Sequence, residues 1–480
     1  MGLSASVRFE ALAASVIFVV AAASGGVLLF VEPRPLTVVA TQPRDGAEEV
    51  HVVAKILLTF SRPVDEASVN QVVTVEPAVE GFVSAAGRKV AFAPRSALRA
   101  DQEYRVMIGT GLRDRAGRPL REPIVIRFRT RGLALVVRTE DGRLLRARLF
   151  GPEARAATET LAGPGVGEFA LNAAGDLAYV QLTDGRLVIQ PSGAAASPRR
   201  IPLPKSSASP LNSSEPGPAI EVRELAWAPG RTLIGFVAAR RDGTILPYLI
   251  DLQHAEAPVE PFGLPPDQIS LNTSPDDAAR KRSLLETVYR RETFAFAPDG
   301  RGIIARDRKL DFVLFGFDGT LRGTLGPFLA VGNASRRAEF VALVDVDPAD
   351  ARLRRQVIAY ERTGRLRSLS APDRDSHSPR FSDRSDRVAY VTGEATGPLE
   401  GRRFALETFD LSSGARRRLT EPPPGKSDED PQWSPDDSWI TFRRVPVGDP
   451  KRGRVWIVGA EGGDARPLSV SGAAAARWVP

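Results

Sequence analysis

The chain has 480 residues and a mass of 51.7 kDa, with 42% hydrophobic and 26% charged side chains. It is too long for one ordinary domain, and this composition builds buried cores, which excludes a fully disordered chain and a polytopic membrane protein. With no cysteine there is no disulfide framework, thiolate zinc site, cysteine nucleophile or lipoprotein anchor, and three histidines (His51, His254, His377) are too few for a multi-histidine metal centre.

The net charge of +7 is spread thinly: zero over residues 1–31, +4 over 32–131 and +3 over 132–480. Only seven of the 65 basic residues are lysine, a bias that fits a GC-rich genome better than phosphate recognition. Nucleic acid is not an expected partner.

After a short tail (1–10), residues 11–31 (ALAASVIFVVAAASGGVLLFV) form an uncharged run of 21, close to the ~20 residues a helix needs to cross a bilayer. A cleaved signal peptide would place Arg8 in its basic region and a small-residue cut near Ala21–Ala23. The apolar run continues through Val31, which favours an uncleaved signal anchor. Arg8 before the span and Arg34 and Arg44 after it leave orientation open on charge alone. Pro33 and Pro35 then make a stiff spacer.

Residues 32–131 read as about seven short strands separated by turns. LTVVATQP leads into the turn PRDGAEEV, then KILLTFS, VVTVEP, GFVSAA, KVAFAP, EYRVMIG and IVIRFRT. Ile126, Phe128 and Thr130 alternate with Arg127 and Arg129, which places the arginines on the wet face. The pattern implies a two-sheet sandwich. In LRDRAGRPL, Asp114 is expected to bond local amides and Gly117 to supply a positive φ. The linked series PRDGAEEV, ILLTFSRPVDEASV, VAFAPRSALRADQEYRVMIGTGLRDRAGRPL and IRFRT resembles the bacterial Ig-like domain of envelope and surface proteins.

From residue 132 to 480 an internal repeat appears: EFALNAAGDLAYV (168–180), ELAWAPGRTLIGFV (224–237), TFAFAPDGRGIIAR (293–306), SPRFSDRSDRVAYV (378–391) and DPQWSPDDSWITFR (430–443). A degenerate copy begins near 338, and ARWVP (476–480) opens one more. Each copy is an apolar strand, a turn and a returning strand. Pro298 or Pro435 presets φ in that turn, Asp299 or Asp436 bonds local amides, and Gly300 takes positive φ. Such units bury their faces only by stacking on neighbours and closing a ring.

The pattern W/F-S-P-D-G, a strand, a polar strand ending in DLSSG and then RRLT resembles the TolB-like (PD40, WD40-like) propeller repeat over 133–480. Strands LALVV (133–137), RLLRARLF (143–150) and TETL (158–161) lack an opening strand, which ARWVP would supply. The expected fold is therefore all-β: a membrane-spanning helix, an Ig-like sandwich, and a propeller of six or seven blades. The resemblance alone suggests six, and the strand count favours seven.

Two places suit a binding site. SPDDAARKRSLLETVYRR (274–291) reads as a helix, with Ser274 as N-cap, Pro275 at the first position and Asp277 completing a capping-box pattern. Leu284, Leu285 and Val288 share one face, which would seat a partner or pack on the propeller itself. The other place is the channel mouth. There Ser376, His377 and Ser378 before Pro379 align with Asp428, Glu429 and Asp430 before Pro431. Acidic groups from adjacent blades would suit a cation, but solvated loop ends are the simpler reading, and no metal or cofactor is expected.

Catalysis finds little support. No G-x-S-x-G elbow, P-loop or dinucleotide fingerprint occurs, and no residues remain for a hydrolase domain. The expectation is a single-pass bacterial envelope protein, mainly extracytoplasmic, that recruits a protein or peptide through its propeller. A receptor for glycan or wall polymer is the alternative, and a degenerate propeller hydrolase or lyase the third reading.

Overall fold

The computed structural model describes residues 35–480 except 53, 70–71, 96, 151–154, 193–196, 204–219, 231, 241–244, 254–293, 298–299, 307–310, 319, 336–339, 347–349, 362 and 397–400. The expected span at 11–31 and the expected helix carrying Leu284, Leu285 and Val288 lie outside the described residues. Among those described, no helix is long and apolar enough to cross a membrane.

The chain forms two compact units. The described strands up to residue 130 form a sandwich of two four-stranded sheets. One sheet runs Val38–Gln42, Ile56–Phe60, Lys89–Pro94, Gly81–Ala86; the other runs Ala47–Val50, Ile124–Thr130, Glu103–Ile108, Val73–Glu76. Period-two alternation sorts the faces: Ile56, Leu58 and Phe60 are fully buried, as are Val106 and Ile108. Ile126, Phe128 and Thr130 point inward while Arg127 and Arg129 are exposed. Asp114 is buried in its turn, and its Oδ1 accepts from the Ala116 and Arg118 amides, each at 3.0 Å, with Gly117 at φ 79. The strand Ala47–Val50 falls within a segment that the sequence reading treats as a turn. Its central pair, Glu48 and Glu49, is exposed, so it carries no apolar signature and pairs only at a sheet edge.

From Ala134 to the end of the chain there are seven consecutive sheets among the described residues, six with four strands and one with three. The first sheet consists of Arg155–Ala162, Leu144–Phe150, Ala134–Thr139 and the C-terminal strand Ala473–Trp478. That last strand pairs antiparallel with Ala134–Thr139, with Ala473 opposite Thr139 and Trp478 opposite Leu135. The two ends of this stretch are thus joined in one sheet, as expected from ARWVP.

Apolar clusters fill the spaces between consecutive sheets. Val136 and Leu144 of the first sheet meet Phe169 and Tyr179 of the second. Phe404 and Leu406 of the sixth meet Trp433, Ile440 and Phe442 of the seventh. Val455 and Ile457 of the seventh meet Leu135 and Trp478, which returns the series to the first. Each sheet is apolar on both faces because each has a neighbour on both sides, and the ring leaves no face to solvent. The architecture is an all-β sandwich followed by a β-propeller.

Candidate functional site

The innermost strand of a propeller sheet borders the central channel. Here that strand is interrupted by a register shift in six of the sheets: between Val166 and Phe169, Val222 and Glu224, Val331 and Ala334, His377 and Arg380, Glu429 and Gln432, and Ala473 and Ala475. A bulge leaves a residue out of the ladder and re-aims its side chain. Ser378 and Asp430 occupy equivalent bulge positions at φ 55 and φ 50. A proline follows each, at a point where no ladder N–H is needed.

The bulges leave backbone carbonyls facing the channel, and arginines take them up. Arg138 Nη1 donates to Gly167 O at 2.8 Å, Arg443 Nε to Ala474 O at 3.0 Å, and Arg380 Nη1 to Pro379 O at 2.9 Å. All three arginines line a cavity of about 2000 Å³ that runs along the inner strands. In the first two pairs, an arginine on the second strand of one sheet reaches the bulge of the next. The same hydrogen bonds therefore fix the channel wall and couple neighbouring sheets.

His377, Glu429 and Asp430 line this cavity. The His377 ring stands edge-on to Phe404, with centroids 4.6 Å apart, and its Nδ1 lies 2.9 Å from Ser378 Oγ. Burial first, and the Arg355 charge second, hold its pKa well below the ordinary histidine value, against the pull of Asp375. The imidazole is neutral at physiological pH. Asp430 accepts from Gln432 Nε2 at 2.9 Å and pairs with Arg477 at 3.5 Å. Asp428 is placed differently. It is fully buried and held by Arg444 through two hydrogen bonds of 2.7 and 2.9 Å and by the Thr420 hydroxyl at 2.6 Å. Its carboxylate is spent on a structural clamp. Among the described residues no group of three His, Asp or Glu side chains converges as a metal site requires.

A cluster that the sequence reading did not single out lies beside His377. Asp375, fully buried, accepts from Arg355 N at 3.0 Å, Arg355 Nε at 2.6 Å and Nη2 at 2.8 Å, and from Arg402 Nη1 at 2.7 Å. Burial by itself would raise the Asp375 pKa; the two guanidiniums outweigh it and bring it down to about 2. Arg355 also lies over the Phe404 ring at 5.0 Å. Arg355, Arg402, His377 and Phe404 all reach the cavity wall. The signal in the sequence is faint: Asp375 sits one position earlier in its strand than Asp428 does in the next. Because strand side chains alternate, that offset turns it toward the preceding sheet.

Residues 32–130 match the bacterial Ig-like domain family. No curated protein matches the chain. Among solved structures, TolB from Acinetobacter baumannii is similar at 13% identity and a TM-score of 0.38, over 80% of this chain and 80% of that one. The periplasmic gluconolactonase of Pseudomonas aeruginosa is similar at 14% identity and a TM-score of 0.45, over 72% and 99% of the two chains. The acylaminoacyl peptidase of Pyrococcus horikoshii is similar at 10% identity and a TM-score of 0.43, over 78% and 51%. The likeness is one of fold alone, and strand order and ring closure in this chain define the propeller independently of it.

Proposed function

We propose that this is a membrane-anchored, extracytoplasmic binding protein of a bacterial envelope, and that it recruits a protein or peptide without catalysis. Residues 11–31 form the anchor, 32–131 the Ig-like sandwich and 132–480 a propeller of seven blades. Seven consecutive sheets and the shared first sheet support that blade number. The Ig-like match at 32–130 supports the envelope setting. The observation that carries the binding role is the channel. Its volume of about 2000 Å³ exceeds the ~300–1,000 Å³ of small-molecule pockets and suits an inserted polypeptide segment. On its wall Arg138, Arg380 and Arg443 are engaged with backbone carbonyls and Asp430 with Arg477, an arrangement that builds a wall rather than a reaction centre.

The test is crosslinked capture of tagged full-length protein from its native membranes, beside Val447→Trp, which puts an indole on the cavity wall where Val447 stands, and a deletion of residues 263–292. A partner lost only in Val447→Trp supports the channel. Loss only with the deletion moves the contact to the segment of Leu284, Leu285 and Val288. Capture of wall polymer in place of protein would replace this reading with the glycan receptor.

A further inference from the structure

We propose that the outer edge of the strand Gly81–Ala86 is a self-association surface. There a second copy of this chain adds its own Gly81–Ala86 strand antiparallel, and two four-stranded sheets become one of eight strands. The two sheets of the sandwich have four edges, and three of them carry features that discourage pairing. Val38–Gln42 is broken by a bulge between Val38 and Ala40. Ala47–Val50 exposes Glu48 and Glu49, with Glu49 at φ 57. Val73–Glu76 is only four residues long and stops at Glu76 and Pro77. Gly81–Ala86 differs from all three. Its six residues include no charge and no proline, and Phe82 is 68% exposed on it. Among the described residues no strand pairs with its outer side. The chain that crosses nearby is held beyond the strand's end, where Val64 N donates to Gly87 O at 2.8 Å.

The sequence around this strand is complementary to itself. Antiparallel pairing centred on Ser84 sets Phe82 opposite Ala86 and Val83 opposite Ala85, so each larger side chain meets a small one. It also brings the exposed Glu80 of each copy to the exposed Arg88 of the other, which places opposite charges at both ends of the pair. Phe82, Ser84 and Ala86 are exposed, while Val83 and Ala85 are partly buried, as strand alternation requires. Gly87 takes φ 58 at the first position of a two-residue turn, a geometry that closes the hairpin with Lys89–Pro94 on a hydrogen-bonded pair of Ala86 and Lys89. The N–H and C=O groups of Val83 and Ala85 then point away from that neighbour. Those are the main-chain groups that hold an added strand. The resulting pair has a two-fold axis at Ser84, the commonest symmetry of oligomers. The surface belongs to the sandwich alone, and its pairing is independent of what the channel binds.

The experiment exploits a chain without cysteine. Full-length Ser84→Cys is oxidised with copper phenanthroline in native membranes, beside Gln42→Cys, which is exposed on the opposite edge of the same sheet. With pairing centred on Ser84 the two introduced thiols face each other within disulfide reach, and a covalent dimer is expected to form at least about tenfold faster than from Gln42→Cys. Adding Phe82→Lys to Ser84→Cys removes the apolar contact and sets a cation diagonal to the other copy's Arg88. Linking is then expected to fall to the Gln42→Cys level. If that variant does not fold, Ala86→Lys, exposed on the same strand, decides. Equal rates from positions 84 and 42, or linking at 84 undiminished in the folded lysine variant, overturns the proposal. Ser84→Cys joined to a different protein in place of itself would assign the edge to a foreign strand and overturn the dimer. Neither result bears on the channel, whose own capture experiment succeeds or fails separately.

Discussion

Asp428 and Arg444 meet twice across the first two strands of the seventh sheet, Nε to Oδ1 at 2.7 Å and Nη2 to Oδ2 at 2.9 Å, with the carboxylate wholly out of water. The guanidinium also lies over the Trp456 ring at 4.3 Å. Removing one member strands the other in a medium that cannot solvate it. Arg444→Met is expected to cost about 3–5 kcal/mol, and the double variant Asp428→Leu with Arg444→Met markedly less. Denaturant unfolding of both variants beside the parent checks this. Equal losses would mean that the pair contributes through packing rather than charge.

Tryptophans at equivalent positions tie one sheet to the one before it. Trp433 Nε1 donates to Arg380 O at 3.0 Å, Trp478 Nε1 to Gln432 O at 3.1 Å, and Trp227 Nε1 to Ala170 O at 3.3 Å. Trp433→Phe keeps a ring and loses one donor, leaving a carbonyl unsatisfied, for an expected loss of about 1–2 kcal/mol. Trp433→Ala also opens a cavity and is expected to cost about 3–5 kcal/mol. Thermal unfolding of the two variants separates the hydrogen bond from the packing.

Asp437 gives the propeller a pH dependence. It is buried in the turn after Trp433 and accepts from the Asp383 amide at 2.6 Å and the Arg384 amide at 2.9 Å, both in the preceding sheet. Burial, with Asp383 and Asp386 adding to it, outweighs those two bonds and pushes its pKa up to about 7 from an ordinary 3.8. The folded value lies above the unfolded one, so this group's contribution is fully present below about pH 4 and is lost as pH rises through 7. Between pH 5 and 8 the parent is expected to lose about 2–3 kcal/mol relative to Asp437→Asn. A constant difference between the two proteins across that range would show that Asp437 is already ionised at pH 5.

Ring closure depends on the last eight residues. Truncation after Gly472 removes the strand that pairs with Ala134–Thr139 and uncovers Leu135 and Val137, which pack with Trp478. The exposed edge and apolar face are expected to abolish cooperative unfolding and to produce aggregation. A single sharp transition in the truncated protein would contradict closure by this strand.

Much of this was legible in the sequence because the periodic signals are strong. The apolar copies at 168–180, 224–237, 378–391 and 430–443 fall on paired strands, and ARWVP falls on the closing one. What escaped has a physical reason in each case. Ala47–Val50 is an edge strand with two outward glutamates, so its composition reads as a turn. Pro379 and Pro431 marked the bulges, but a proline inside a strand also reads as a strand end. Asp428 looked like a channel residue because it aligns with the block before Pro431, yet its own side of the strand faces Arg444. Asp375, Arg355 and Arg402 come together from separate segments up to 47 residues apart in the chain, and no local pattern announces such convergence.

The central claim, that the channel receives a partner segment, is tested most directly by site-specific crosslinking. The chain contains no cysteine, so one introduced at Ser378, on the cavity wall, carries a photo-crosslinker to that point alone. A second protein carries it at Thr158, exposed on the outermost strand of the first sheet. In native membranes the account predicts a discrete crosslinked partner from position 378 and none from 158. A partner joined at 158 and absent at 378 would place binding on the rim and contradict it.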